Sequence, residues 1–222
     1  MDAKKFYNKI TKILNEEEYE MKKALEEIKK ELEVEIITSG RVNANKMQAF
    51  KRLQKDNEFR PRFKNVLINN NDNFTITNGF FLITYKGNQL PKELEPYKDT
   101  ENDGQYLNFN FEKLQNTNKK GVLSLNFEAI IKIYKYNKLN KNKNIFTLEN
   151  GFTFNIQYFL DILCLLNCKG LENVTLEISE NILEPMNIIT ENGKAILLPI
   201  KVTDEQINEQ LTKQKNILKM EV

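Results

Sequence analysis

The side chains that could carry chemistry are few. Cys164 and Cys168 stand four positions apart in the apolar run FLDILCLLNC, and the chain has no histidine. A Cys/His zinc site cannot be assembled from that inventory. Without an imidazole, Ser-His-Asp and Cys-His nucleophilic centres and His-based acid–base catalysis are excluded as well. Neither a GxGxxG nor a GxxxxGK[ST] phosphate loop occurs. The chain has 31 Asp and Glu, but no carboxylate pair stands in a recognisable catalytic motif. The two cysteines therefore read as small apolar residues on one helix face. The expectation is a protein that is not an enzyme and holds no cofactor and no metal.

Two other features suggest binding instead. The segment NANKMQAFKRLQKD reads as a helix capped by Asn43 or Asn45, with Met47, Phe50 and Leu53 on its apolar face. Lys46, Lys51, Arg52 and Lys55 occupy the other face, and Arg60, Arg62 and Lys64 follow. Such a face is either solvated or a surface for a phosphate backbone. The second feature is GKAILLPIKV, from Gly193 to Val202, which reads as one apolar strand interrupted by Pro199 and Lys201. Proline removes a ladder donor and belongs at sheet edges, strand ends or bulges.

The elements that must position these residues follow from periodicity. Residues 3–33 carry apolar stripes at helical spacing (Phe6, Ile10, Ile13; then Met21, Leu25, Ile28, Leu32), out of register by one residue. One long helix with a stutter and a helical hairpin both fit, either packed on the main domain or self-associating. FKNVLINN, NFTITNG and FFLITYKG read as strands, with a turn at Asn78-Gly79. QLPKELEPYKDTENDG reads as loop. YLNFNFEKLQ and VLSLNFEAIIKIYKYNK each read as a strand leading into a helix. IFTLENGFTFN reads as a hairpin turning at Asn150-Gly151, and IQYFLDILCLLN as a buried helix with Asn155 at its N-cap. NVTLEIS alternates, so one face is buried. PMNIITENGKAILLPIKV reads as a hairpin turning at Asn192-Gly193. From Thr203 a terminal helix begins, with Thr203 and Gln206 in a capping-box relation.

The chain has 222 residues, 40% hydrophobic and 29% charged, with 33 Lys and Arg for a formal charge of +2. That is enough for one sizeable globular domain or two small ones. No run approaches the roughly 18–20 apolar residues that span a bilayer, and MDAKKFYNKI lacks a signal-peptide core. The expectation is a cytoplasmic protein with no membrane partner.

FNIQYFLDIL, an alternating strand, then EPMNIITENGKAILLPIKV together resemble the C-terminal end of the bacterial sliding clamp, the beta subunit of DNA polymerase III. The matching positions are Phe154, Asn155, Tyr158, Phe159, Leu160, Asp161 and Leu163, then Pro185, Met186, Ile188, Leu198, Pro199, Ile200, Lys201 and Val202. A shorter echo, ITNGFFL, is similar to the family's Thr-Asp-Gly-His-Arg-Leu segment at Thr77, Gly79 and Leu82.

The resemblance implies an α+β DNA-clamp-like domain of two strand–helix–three-strand repeats over residues 41–203, with a helical segment at 1–40 and a C-terminal helix at 204–222. It implies one clamp domain rather than the family's three, hence a reduced version of phage or mobile-element type. It also implies a replication processivity factor that binds partner proteins through a peptide groove and double-stranded DNA through Lys46, Lys51, Arg52 and Lys55, acting as a homo-oligomer. The groove residues it implies are Asn155, Tyr158, Met186, Ile196, Leu198, Pro199, Ile200, Lys201 and Val202, with Thr77, Gly79 and Leu82 as the opposite wall. Partners would be replication proteins carrying clamp-binding peptides. The alternative is a clamp-fold scaffold that works by self-assembly or host-protein capture without encircling DNA.

Overall fold

A computed structural model describes residues 23, 25–29, 46–56, 63–68, 73–85, 90–99 and 120–220. Among these residues the chain is α+β, built on a seven-stranded sheet whose strand pairs are antiparallel. Helix α1 (Lys46–Asp56) leads to strands β1 (Leu67–Ile68), β2 (Phe74–Thr77) and β3 (Phe81–Tyr85). After a 3₁₀ helix (Lys92–Tyr97) come β4 (Lys120–Leu123), helix α2 (Phe127–Leu139) and the hairpin β5 (Ile145–Thr147) and β6 (Thr153–Asn155). Helix α3 (Ile156–Leu165), strands β7 (Thr175–Ser179), β8 (Met186–Ile189) and β9 (Gly193–Leu197), and helix α4 (Asp204–Lys219) complete the order.

The sheet runs β1-β2-β3-β9-β8-β7-β4, with β5-β6 as a separate two-stranded sheet. Two helix-then-meander units are therefore visible, α1 with β1–β3 and α3 with β7–β9. Their last strands, β3 and β9, pair antiparallel at the centre with Leu82 opposite Ile196.

Alternation sets the two faces of this sheet. Ile76, Ile83, Ala195, Ile188 and Leu176 form one cross-strand row, and Phe81, Leu197 and Met186 another. All are buried in one core with Phe50 of α1, Ile130 and Ile133 of α2, and Phe159, Ile162 and Leu163 of α3. Each Ile, Leu, Met or Phe among them contributes roughly 1.5–3 kcal/mol on leaving water. The opposite face carries Thr77, Leu82, Ile196 and Asn187, also buried.

Local chemistry explains the ends of the elements. Asn126 and Asn155 accept the N3 backbone N–H at the starts of α2 and α3, and Thr203 and Gln206 form the expected capping box on α4. Helix α3 ends with Asn167 in the left-handed region at φ 62°. Its last carbonyls are tied to the sheet: Tyr85 Oη donates to Leu165 O at 2.8 Å, and Asn192 Nδ2 to Leu166 O at 2.9 Å.

Several expectations need correction. The segment read as loop contains the 3₁₀ helix: Pro91 presets the entry at φ −54°, Leu94 N–H bonds Pro91 O at 2.8 Å, and Leu94 is fully buried. The hairpin of β8 and β9 exists, but Gly193 is not its special turn residue. It opens β9 opposite Tyr85, where a Cβ would lie 2.5 Å from Thr84 O. Close backbone approach, not a left-handed φ, requires glycine there. The strand does not run to Val202 but stops at Leu197, and β9 is interior to the sheet rather than at an edge. Of the N-terminal stripes, residues 25–29 are helical with Ile28 buried and Leu25 52% exposed. The rest of those stripes, YLNFNFEKLQ, Arg60 and Arg62 lie outside the described residues.

Candidate peptide-docking surface and basic helix

The turn between β2 and β3 is built by its own side chains. Thr77 Oγ1 donates to Phe81 O at 2.5 Å and accepts Gly79 N–H at 3.0 Å. Asn78 Oδ1 accepts the N–H groups of Phe80 and Phe81 at 2.9 and 3.1 Å. Gly79 takes φ 85°, which glycine adopts without a Cβ penalty. Consecutive phenylalanines at a strand start cannot both face the core. Phe81 is buried, while Phe80 is 51% exposed.

Phe80 is held by Tyr158 from the first turn of α3. Their rings stack with centroids 5.9 Å apart and planes 16° apart, and Phe81 tilts against the same tyrosine at 5.6 Å. The Tyr158 backbone is fixed by Asn155, whose Oδ1 accepts Tyr158 N–H at 3.2 Å. Leu198 then joins them: its N–H bonds Phe80 O at 2.9 Å just past the last paired residues, Phe81 and Leu197. Pro199 cannot donate, and Ile200 N–H turns to Thr153 O of β6 at 2.7 Å. The segment Leu198–Val202 thus leaves the sheet as an extended bridge from β3 to β6, with Leu198 and Lys201 exposed and Pro199, Ile200 and Val202 half-buried.

The expected groove residues divide accordingly. Gly79, Tyr158 and Leu198 come together with Phe80 at this end of the sheet; Thr77, itself buried, holds the turn, Asn155 caps the helix that carries Tyr158, and Pro199 to Val202 lead away toward β6. Met186, Ile196 and Leu82 are inside the sheet, 0%, 2% and 8% exposed, where they hold strands together rather than offer surface. Phe80 was not among the expected residues. The signal for it was the Phe80-Phe81 doublet itself, read against strand alternation.

The basic helix is likewise divided. Lys51 and Lys55 are exposed and Lys46 is half-buried. Arg52 is not a free cation: its guanidinium forms a two-point ion pair with the buried carboxylate of Asp161 on α3, Nε donating to Oδ2 at 3.2 Å and Nη2 to Oδ1. The bond to Asp161 raises the arginine pKa further. Gln157 Nε2 donates to Asp161 Oδ1 at 3.1 Å, and Tyr134 Oη of α2 donates to Gln157 Oε1 at 2.5 Å. One polar network therefore ties α1, α3 and α2 together, and burial holds the Tyr134 phenol above its ordinary pKa.

Burial pushes the Cys164 thiol up to about 11 and raises that of Cys168, which leaves both protonated and unreactive at neutral pH. Among the described residues no group of three or more His, Cys, Asp or Glu could hold a metal ion, and no helix is long and apolar enough to cross a membrane. Comparison of the chain with protein-family models, with curated proteins and with solved structures gives no match in any of the three.

Proposed function

We propose that this chain is a non-enzymatic, sliding-clamp-like binding protein that receives short linear peptides of replication proteins at the Phe80–Tyr158–Leu198 surface. One observation carries the reading: the pairing of β3 with β9. It brings together the two segments that separately resemble the sliding clamp, Thr77–Leu82 and Gly193–Val202, and Tyr158 from the third such segment stacks on Phe80 of the first. The repetition of a helix followed by a three-stranded meander, joined through last strands, supports the same reading. The surface is chemically suited to a peptide, with apolar area in Phe80, Tyr158 and Leu198 and an exposed cation, Lys201, three residues along the chain from Leu198.

The test is titration of a fluorescent clamp-binding peptide into the protein. Binding in the micromolar range is expected, and loss of binding in a Tyr158→Ala, Pro199→Ala double variant. Phe80→Ala and Leu198→Ala each weaken it about tenfold, since both side chains are partly exposed at this surface. Several such peptides failing to bind the wild type would sink the proposal.

A second reading, a scaffold acting through self-assembly, is favoured by the apolar side chains that α4 and its end leave exposed, Leu218 and Met220 at 42% and 38%. An unchanged solution mass after deletion of residues 1–36 or of α4 rules it out.

A further inference from the structure

Residues 198–217 wrap the β5-β6 hairpin. On one edge, the Gln214 side chain clips onto Thr147 with both halves of its amide: Thr147 N–H donates to Oε1 at 2.8 Å, and Nε2 donates to Thr147 O at 2.9 Å. Both residues are buried. Thr147 is the cross-strand partner of Thr153, and their hydroxyls are 3.0 Å apart. On the opposite edge, Thr153 O receives Ile200 N–H at 2.7 Å. Gln214, Thr147, Thr153 and Ile200 thus form one transverse hydrogen-bonded line. At the hairpin tip, Gly151 at φ 89° leaves room for Ile207, and Lys132 Nζ holds the last carbonyls of α4 at Leu218 and Met220.

We infer that Gln214 is a positioning residue for the peptide surface, and that docking of α4 regulates that surface. This rests on the proposed function. Both walls of the surface depend on β6: Leu198–Val202 through Ile200 on Thr153, and Tyr158 through Asn155, the last residue of β6. Helix α4 is also lightly held, with only Gln214 and Ile217 buried among its sixteen residues. Its release exposes the Thr147 edge and frees the line that ends at Ile200.

The experiment is amide hydrogen exchange by NMR on the full chain, comparing wild type with Gln214→Ala and Gln214→Glu, followed by peptide titration of each. Gln214→Ala is expected to lower protection at Thr147, Ile200 and Tyr158 together and to weaken the peptide about tenfold. Gln214→Glu should likewise lower protection at Ile200 and Tyr158 at neutral pH, because the introduced carboxylate still accepts from Thr147 N–H but repels its carbonyl instead of donating to it. Recovery is expected as the pH falls and that carboxyl regains a proton. Loss of protection confined to Thr147, with Ile200 and Tyr158 unchanged in both variants, overturns the inference. If all three amides respond but wild type binds no peptide, the positioning of Ile200 and Tyr158 stands and the peptide reading falls.

Discussion

Arg52 and Asp161, 109 residues apart in sequence, meet in a two-point ion pair that bolts the first helix of one helix-and-meander unit to the helix of the other. Asp161 is almost fully enclosed, its side chain 6% exposed, while Arg52 is 42% exposed. Removing the arginine therefore takes the two-point partner from a buried carboxylate, to which Gln157 still donates, whereas removing the acid leaves a cation that can turn to water. Arg52→Ala is expected to cost about 2–3 kcal/mol and Asp161→Asn less, read from urea midpoints. A double-mutant cycle returning a coupling energy near zero refutes a cooperative pair.

The same pair bears on nucleic acid. If the basic helix attracts DNA phosphates, the exposed cations among its described residues are Lys51 and Lys55, while Arg52 is held by Asp161. Replacing both lysines with alanine should reduce the salt slope of DNA binding by about 2, while Arg52→Gln leaves it unchanged. Retention assays over a salt series measure this. A larger effect from Arg52 than from the lysines contradicts the assignment.

Gly193 and Gly121 make a matched test of backbone crowding within one sheet. A Cβ at Gly193 meets Thr84 O at 2.5 Å, whereas at Gly121 nothing lies within 4 Å. Gly193→Ala is expected to destabilise by about 2 kcal/mol or more as β3 and β9 are forced apart. Gly121→Ala is neutral or stabilising by about 0.5 kcal/mol. Thermal melts of the two variants decide it, and equal midpoints exclude the contact as the cause.

Cys164 makes the fold sensitive to alkali. Its thiol moves from an ordinary value of 9.0 to about 11 on burial. Between those values the unfolded chain loses a proton that the folded chain keeps. Stability is therefore complete below pH 9 and declines as the pH rises toward 11. Denaturant midpoints over that window should fall more steeply in wild type than in Cys164→Ala, and slow thiol labelling at pH 8 should accompany folding. Parallel slopes in the two proteins would exclude Cys164 as the source.

The elements that carry strong local signals were legible before any fold was known. Helix α3 begins where Asn155 caps it, α4 where Thr203 and Gln206 reciprocate, and the β5-β6 hairpin turns at Gly151 because its φ suits glycine. The 3₁₀ helix at Lys92–Tyr97 was not legible, since Pro91 and Pro96 read locally as loop. Its cause is the burial of Leu94, a tertiary contact. Candidate residues were legible as a set but not as a surface. Periodicity placed Leu82, Ile196 and Met186 in strands without saying which face of a central sheet they would fill.

What the amino-acid sequence determined by itself was therefore local: capping, turn chemistry, strand alternation and the exclusion of histidine-dependent catalysis. Those depend on residues within a few positions of one another. Only the tertiary structure decided that β9 is interior, that Gly193 must lack a Cβ, that Arg52 is matched by Asp161, and that Phe80, Tyr158 and Leu198 share one surface. Each of these is a contact between residues far apart in the chain. The physical reason is that strand order and helix packing, which set such contacts, follow from burying several amphipathic faces at once, and no single segment encodes that outcome.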